Sequence, residues 1–594
     1  MPRLDDRLTR GLVFVAGCCA VAAIAAAITG GVSVQLGIVL LRSHDPLRPA
    51  IAAVVLLLIA VAGGAATVAA ALEWHWQLLH RRSAVAALAL AAFALAAGFH
   101  WGAFIAGGSD SYCYLNQAEL LARGQVHDHE PLSEDTTWPG TAWSFAPAGH
   151  IPMGSPVPAL VPICPAGYPL IMAGARRAFG RQSMFWVTPL MGGVAVYLAF
   201  LLGRRLAGPP AGLLAATFTL TSPTFLIQLF QPMNDVTAAA AWSAALVAVM
   251  KDGWSDRRRA VAAGLLTAVA LTIRPNLLPL AIVNGLAVAL IPASRTLSAR
   301  AATVVAFAST ALPGIVVVMA IQNAMYGSPL KSGYGDLGTM FAASHLAPNL
   351  QRYSRWLIES HTPAIAAALA APWLLGGRGT YRHAAWLLAF AGVTLACYLP
   401  YVVFDAWWYT RFLLPAILPL LALTAAVASV VIDRLRAPLR PIAFAALAAT
   451  LAAISIRTAV THDAFRIRDL EWRFRSVGEV AAALPEKAAF ITLHHSGSLR
   501  FYAGRSTVGW ADIDKGRLDD AIAFLRRHGR KPYLLFEGWE EPQFRARFAG
   551  DRLGALAWPA MIEVDGVRIY DPDDYDRYLR GERIVTEQVE TKRQ

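Results

Sequence analysis

Apolar runs of about 20 residues, the length a helix needs to cross a bilayer, follow one another through the first 457 positions with little sequence between them. In windows of that length they lie near 12–31, 50–72, 84–106, 183–203, 211–229, 235–250, 259–273, 275–291, 301–323, 356–375, 383–403, 409–432 and 440–457, about thirteen candidate spans. A soluble core cannot absorb that much apolar length. Of the 594 residues 56% are hydrophobic and only 15% charged, and the mean hydropathy is +0.47. These values belong to a polytopic membrane protein. The two runs flanking "RPN" (274–276) are short, and they read equally well as one broken helix.

The formal charge of +13 sits in the apolar part alone. Residues 459–594 hold 22 basic and 22 acidic side chains, whereas the rest of the chain holds 30 and 17. A basic excess confined to short loops between apolar runs is the positive-inside pattern, and it sets aside nucleic-acid binding. The segments "MPRLDDRLTR", "HRRS", "GRRLAG", "KDGWSDRRR", "SRTLSAR", "GGRGTYRH" and "DRLRAPLR" together carry 18 Lys and Arg and are expected on the cytoplasmic side. The outward turns carry Arg42, Arg48, Arg274, Lys331 and Arg411. With an odd number of passes the tail falls on the opposite side from the N-terminus. Only five apolar residues precede Gly17-Cys18, too few for a signal peptide, so the first run is an uncleaved helix.

Between the third and fourth runs lies a long outward segment, 107–182. Its start, "DSYCYLNQAELLARGQ", places Tyr112, Leu115 and Leu121 at near-helical spacing with Glu119 and Arg123 four apart, which predicts an amphipathic helix on the membrane surface. Its remainder is rich in Pro and aromatics. Trp138, Trp143 and Phe145 are expected at the headgroup layer, as a lid or rim. Cys113 and Cys164 both fall in this segment, where an oxidising compartment permits a disulfide or two free thiols; Cys18, Cys19 and Cys397 fall inside apolar runs as packing residues. After 459 the pattern changes. "AAFITLHH" and "KPYLLFEG" predict strands, "RLDDAIAFLRRHG" and "SGSLRFYAG" helices, and "MIEVDGVRIYD" a hairpin over Asp-Gly. The expected architecture is thus mostly α: two extra N-terminal helices (1–82), a membrane bundle with the outward loop (83–458) and a small C-terminal α/β domain (459–594).

The polar clusters gather at outward ends. They are Asp110 in "GGSDSYCYLNQ", "QPMND" (231–235), Arg274, "YGSPLKSGYGDL" (326–337) and "DAWWYTR" (405–411), and no charged residue stands at the middle of an apolar run. A proton or ion path would need such mid-span groups. His494 and His495, adjacent at a strand end, are expected to point to opposite faces and so not to share a metal. There is no P-loop, no dinucleotide-binding glycine fingerprint and no serine nucleophile elbow, which favours a lipid-linked substrate over a nucleotide one.

An acid at the mouth of a span, an amphipathic helix after it and a second acid at the next outward turn together resemble the GT-C membrane glycosyltransferases, such as the protein O-mannosyltransferases and the lipid A aminoarabinose transferase. "RFLLPAILPLLAL" (411–423), "YGSPLKSGYG" and "SGSLRFYAGR" (496–505) are similar to segments of bacterial members. Three features depart from the family: two runs precede the one that bears the acidic loop, the acid in "SDS" is single, and the Pro-rich loop has no counterpart. The resemblance implies inverting transfer of a sugar from a polyprenyl phosphate to a lipid, glycan or protein acceptor outside the plasma membrane. Asp110 would be the general base. Asp235, Arg274, Lys331, Tyr334 and Arg411 would hold substrate, the cations meeting the phosphate. The resemblance fixes no cofactor, and a divalent cation, if used, would take Asp110 and Asp235 as ligands. Each residue also has a plainer role: helix capping for Asp110 and Asp235, interfacial snorkelling for the cations, and turn formation for "GSPLKSGYG". The alternative function is a transporter or flippase of lipid-linked saccharides.

Overall fold

The computed structural model describes residues 5–36, 39–135, 138, 140–154, 158–291, 296–335, 337–376 and 380–591. Arg3, Arg295 and Arg378 of the basic segments, Asp336 of the "YGSPLKSGYGDL" loop and Thr136–Thr137 of the Pro-rich segment lie outside them. The helices are α1 (Asp6–Thr29), α2 (Leu47–Ala62), α3 (Ala65–Trp101), α4 (Asp110–Ala122), α5 (Gly167–Phe179), α6 (Val187–Ala207), α7 (Pro209–Thr221), α8 (Pro223–Leu229), α9 (Asn234–Val249), α10 (Asp256–Ile273), α11 (Pro279–Leu290), α12 (Leu297–Tyr326), α13 (Leu346–His361), α14 (Tyr381–Tyr398), α15 (Leu414–Asp433) and α16 (Arg440–Thr461).

Six helical stretches among the described residues are long and apolar enough to cross a membrane, or seven if the bent pair α7–α8 counts as one span. The expected thirteen runs fall on helices that are longer, shorter or broken for identifiable reasons. The run 50–72 breaks at Gly63-Gly64, where Gly64 has φ 130°. The next helix then starts at Ala65 and runs for 37 residues, so "HRRS" is helical rather than a loop. Nothing between Ala65 and Trp101 stops a helix: the stretch has no Pro, and its Ala, Leu and Arg are strong helix formers. The run 211–229 bends by 60° where Ser222 caps α8 by accepting from Phe225 N and Pro223 takes the first helical position. The run 356–375 divides at Thr362, with φ 61°, between amphipathic α13 and the apolar stretch Pro363–Leu374. Helix α9 has only 16 residues, and nearly all are buried. It packs on α6, α10 and α15, and its small Ala side chains admit close neighbours. A helix enclosed by helices need not match the lipid thickness.

After the bundle, α17 (Ile467–Ala483) leads into a six-stranded sheet. Numbering the strands along the whole chain, β1 (Val32–Leu36) and β2 (Val39–Ser43) form an antiparallel pair, and β3 (Asp128–His129), β4 (His150–Met153) and β5 (Ala159–Pro162) form a small sheet in the outward segment. The six strands are β6 (Ala488–Ile491), β7 (Ser506–Val508), β8 (Lys531–Glu537), β9 (Ile562–Val564), β10 (Val567–Tyr570) and β11 (Glu587–Val589), in the order β11-β9-β10-β8-β6-β7. β6 runs parallel to β7 and β8, with α18 (Ser496–Ala503) and α19 (Leu518–Arg527) among the connections. β9 and β10 form a hairpin whose two turn residues, Asp565 and Gly566, both have positive φ, as a two-residue turn requires.

The outward segment is not a membrane-surface rim. Trp138 and Phe145 are 3% and 0% exposed and belong to the same core as Ile491, Val508 and Phe524 of the tail; only Trp143 is exposed. Arg500 pairs with Glu130 at 3.0 Å, and Gly509 N donates to Ser144 O at 2.5 Å. The aromatics that suggested a headgroup belt are core residues of a fold assembled from two distant stretches. Helix α4 is likewise buried rather than interfacial: Tyr112 and Leu115 are 2% and 0% exposed, and the helix packs on α5 and α18. Glu119 on α4 gathers Arg123 at 3.5 Å, Arg176 at 2.6 Å and Arg181 at 2.8 Å.

Cys113 on α4 is bonded to Cys164, 51 residues later. Closing a loop of that size removes denatured-state freedom worth roughly 2–4 kcal/mol. Replacing both cysteines by Ser should therefore lower the thermal midpoint of the purified protein by several degrees. An unchanged midpoint would mean the bond adds nothing to stability.

Candidate active site

One end of the bundle encloses a cavity of about 830 Å³ lined by Asp110, Tyr114, Asp235, Arg274, Tyr334, Tyr398, Tyr409, Arg411 and Phe412, among others. It is built where helices stop. After Trp101 the chain runs extended, pinned by Ala103 N to Phe230 O at 2.7 Å, Arg468 Nε to Gly102 O at 2.9 Å and Ala106 N to Tyr502 Oη at 2.8 Å. Gly107 lies so close to Glu471 and Phe474 that a Cβ would collide with both. This clamped linker delivers Asp110 as the first residue of α4.

Asp110 does not cap that helix. Neither does Ser109, which holds the cap position without a side-chain bond. The Asp110 carboxylate turns to Arg411, accepting from Nη2 at 2.7 Å, and stays half exposed while Arg411 is largely covered. A negative charge in the first turn is favoured by the helix dipole whatever else it does. Asp235, second in α9, also makes no cap bond, because the cap position belongs to Met233. It is fully buried and its Oδ1 takes Arg274. Arg274 reaches it because Pro275 forbids α10 to continue; there Arg274 adopts φ −138°, ψ 83° and turns inward. Its guanidinium also donates to Asn234 Oδ1 at 3.2 Å, Tyr398 Oη at 3.2 Å and Phe412 O at 3.3 Å. At 5% exposure it is no snorkelling side chain.

Two fully buried polar atoms at the cavity remain without partners among the described residues, Asp235 Oδ2 and Arg411 Nε. Aromatic rings wall them: Tyr398 stacks on Phe412 and Phe404 on Tyr409, with Arg411 over the Tyr409 and Phe412 rings at 5.5 and 5.2 Å. Of the "WWYT" belt only Tyr409 lines the cavity; Trp407 stacks on His462 and Trp408 is half exposed. Gly333 fits against Ile163 and Tyr326, leaving no room for a Cβ, and so folds the "SGYG" turn over the cavity. Tyr334 lines it, as do Leu330 and Ser332, whereas the exposed Lys331 does not. Five of the six expected residues thus converge. Tyr114 and Tyr398 join them with no sequence signal of their own beyond the spacing of Tyr114, one helical turn after Asp110, and Asn234 comes from the "QPMND" cluster.

In the tail, His494 and His495 do not diverge. Both reach Glu537 Oε1, at 2.8 and 3.0 Å, because β6 ends at Ile491 and strand alternation no longer applies beyond it. Arg473 and Trp539 bond the same carboxylate at 2.9 and 2.8 Å. Burial opposes its ionisation, but the hydrogen bonds of the two histidines and the charge of Arg473 prevail and hold it well below the usual carboxylate range. A divalent cation finds a poor donor set at the cavity, since Asp110 and Asp235 each already carry a guanidinium. Among the described residues no three His, Cys, Asp or Glu side chains gather for one.

Residues 83–274 match the family model of oligosaccharyl transferase STT3, N-terminal, a stretch running from mid-α3 to the Arg274 break. Two solved structures share the architecture. ArnT from Cupriavidus metallidurans bound to undecaprenyl phosphate is 14% identical, with 77% of this chain and 94% of that one covered and a TM-score of 0.51. The apo Archaeoglobus fulgidus oligosaccharyltransferase is 12% identical, with 80% and 72% covered and a TM-score of 0.50. No curated protein sequence matches. The chain has the GT-C fold of membrane glycosyltransferases.

Proposed function

We propose that this protein moves a sugar from a polyprenyl-phosphate carrier to an acceptor hydroxyl, with inversion, in the cavity at the end of the bundle. The observation that carries the reading is the pairing, in one cavity, of an accessible carboxylate with guanidinium groups able to meet a phosphate. The acceptor oxygen attacks the anomeric carbon from the face opposite the phosphate, and Asp110 takes its proton. The C–O bond to the phosphate breaks, and its electron pair stays on the leaving oxygen. Arg411, whose Nε is free, turns from Asp110 to that phosphate as the donor enters, which both frees the base and stabilises the leaving group. The Asp235–Arg274 pair anchors the floor, and Asp235 Oδ2 accepts from a substrate hydroxyl. No step runs through a metal.

In this reading the N-terminus is cytoplasmic, the shorter apolar helices complete about thirteen passes of the plasma membrane, and cavity and tail face outward. Neither the family match nor the structural neighbours favour a transporter. Purified protein incubated with radiolabelled polyprenyl-phosphate sugars and a cell-envelope extract as acceptor should release polyprenyl phosphate and transfer the label. If no donor in the panel is cleaved, or if label crosses sealed proteoliposomes intact, the reading fails.

A further inference from the structure

The cavity contains a phenol that nothing above employs. Tyr114 lies four residues after Asp110 on α4, so the two side chains share one helix face, and both line the cavity. Its ring is fixed edge-on against Tyr168, 5.3 Å between centroids, and the residue is only 6% exposed. A buried tyrosine hydroxyl normally finds a partner; Tyr168 does, bonding Thr188 at 2.7 Å. Tyr114 has no hydrogen bond among the described residues, so its Oη opens to the cavity. Burial and the neighbouring Tyr334, Asp110 and Asp235 hold its phenol protonated far above pH 10. It is a neutral donor in a cavity that Asp110 and Asp235 also line.

We propose that Tyr114 is a catalytic residue that donates a hydrogen bond to a non-bridging oxygen of the carrier phosphate as the sugar leaves. The proposal rests on the transfer reaction above. In that reaction the phosphodiester monoanion becomes a phosphate monoester with a second negative charge once the C–O bond to the anomeric carbon breaks. A carbonyl could not donate there, and a third cation would pair with Asp110 or Asp235. A phenol can share a cavity with two carboxylates and still donate to the phosphate. Because its hydrogen bond strengthens as charge builds on the phosphate, it serves the transition state and the product more than the bound donor.

Tyr114→Phe keeps the ring against Tyr168 and removes only the hydroxyl. It should lower kcat by about 10²-fold, the usual cost of one donor at a developing oxyanion, with the KM for the donor within about threefold. Tyr168→Phe, which removes an equally buried hydroxyl that faces away from the cavity, should lower thermal stability and leave kcat within about threefold; rates are compared below both unfolding transitions. A second arm needs no turnover: binding of undecaprenyl phosphate to Tyr114→Phe should weaken about tenfold relative to wild type, the effect of one lost charge-assisted hydrogen bond. A kcat within threefold of wild type, or equal undecaprenyl phosphate binding, overturns the role of Tyr114. A wild type that cleaves no donor yet binds the phosphate more tightly than Tyr114→Phe overturns the transferase reading and keeps the phosphate contact.

Discussion

Asp110→Asn should abolish most transfer activity, lowering kcat by about 10²–10⁴-fold, the range typical for loss of a positioned general base. The substitution keeps the shape of the side chain and its capacity to accept from Arg411. Asp110 is half exposed, and an ion pair of that exposure contributes at most about 1 kcal/mol, so the thermal midpoint should stay within a few degrees of wild type. That combination, a large rate loss with a nearly unchanged fold, separates chemistry from helix capping. It is measured by donor turnover under single-turnover conditions together with thermal unfolding of the same preparation. Retention of more than about a tenth of the wild-type rate would remove Asp110 from the role of base and leave the Arg411 contact as a surface ion pair.

Arg274→Ala has the opposite signature. Asp235 and Arg274 are both almost completely buried, and removing one partner strands the other charge without water. Such a truncation costs about 3–5 kcal/mol. Asp235 already has one unpartnered oxygen, so Arg274→Ala would leave it with no countercharge in contact. Asp235→Asn should be milder, because Arg274 keeps Asn234, Tyr398 and the Phe412 carbonyl. Combining Asp235→Asn with Arg274→Met, which takes out both charges, should recover a large part of the stability lost in Arg274→Ala. Unfolding midpoints in detergent give the order: wild type above Asp235→Asn, and the double variant above Arg274→Ala. If Arg274→Ala is as stable as wild type, the pair is not the anchor of the cavity floor.

Much of this arrangement is legible in the sequence, and the reasons are physical. Apolar length has one use in a chain this hydrophobic, so the helical bundle followed from composition. Asp-Gly between two alternating stretches predicts a tight hairpin because few other residue pairs accept two positive φ angles. Asp110, Asp235, Arg274, Tyr334 and Arg411 could be singled out because polar residues at the ends of apolar helices are few. Lys331 was singled out on the same ground, yet the turn that carries it presents its neighbours to the cavity instead.

Hydropathy could not separate a lipid-facing helix from one enclosed by protein, since both avoid water. Thus α9, buried on all sides, read like a short span, and the long α3 hid its two arginines in a helix that no local signal interrupts. Likewise an aromatic ring prefers a headgroup layer and a protein core for the same reason. Trp138 and Phe145 could go to either; only the tail, more than 350 residues further on, supplies Phe524 and Val508 as their partners.

The order of polar and apolar residues along the chain therefore determined that it forms a bundle of apolar helices and which polar clusters stand between the apolar runs. Tertiary structure alone decided that Arg274 turns inward to Asp235 and Arg411 to Asp110, that Tyr114 lines the same cavity without a hydrogen-bond partner among the described residues, and that the distant tail packs against loop 107–182. Those outcomes depend on which helix ends are brought together. Local propensity acts over a few residues, whereas a buried charge accepts whichever opposite charge the packing of the whole bundle places within reach.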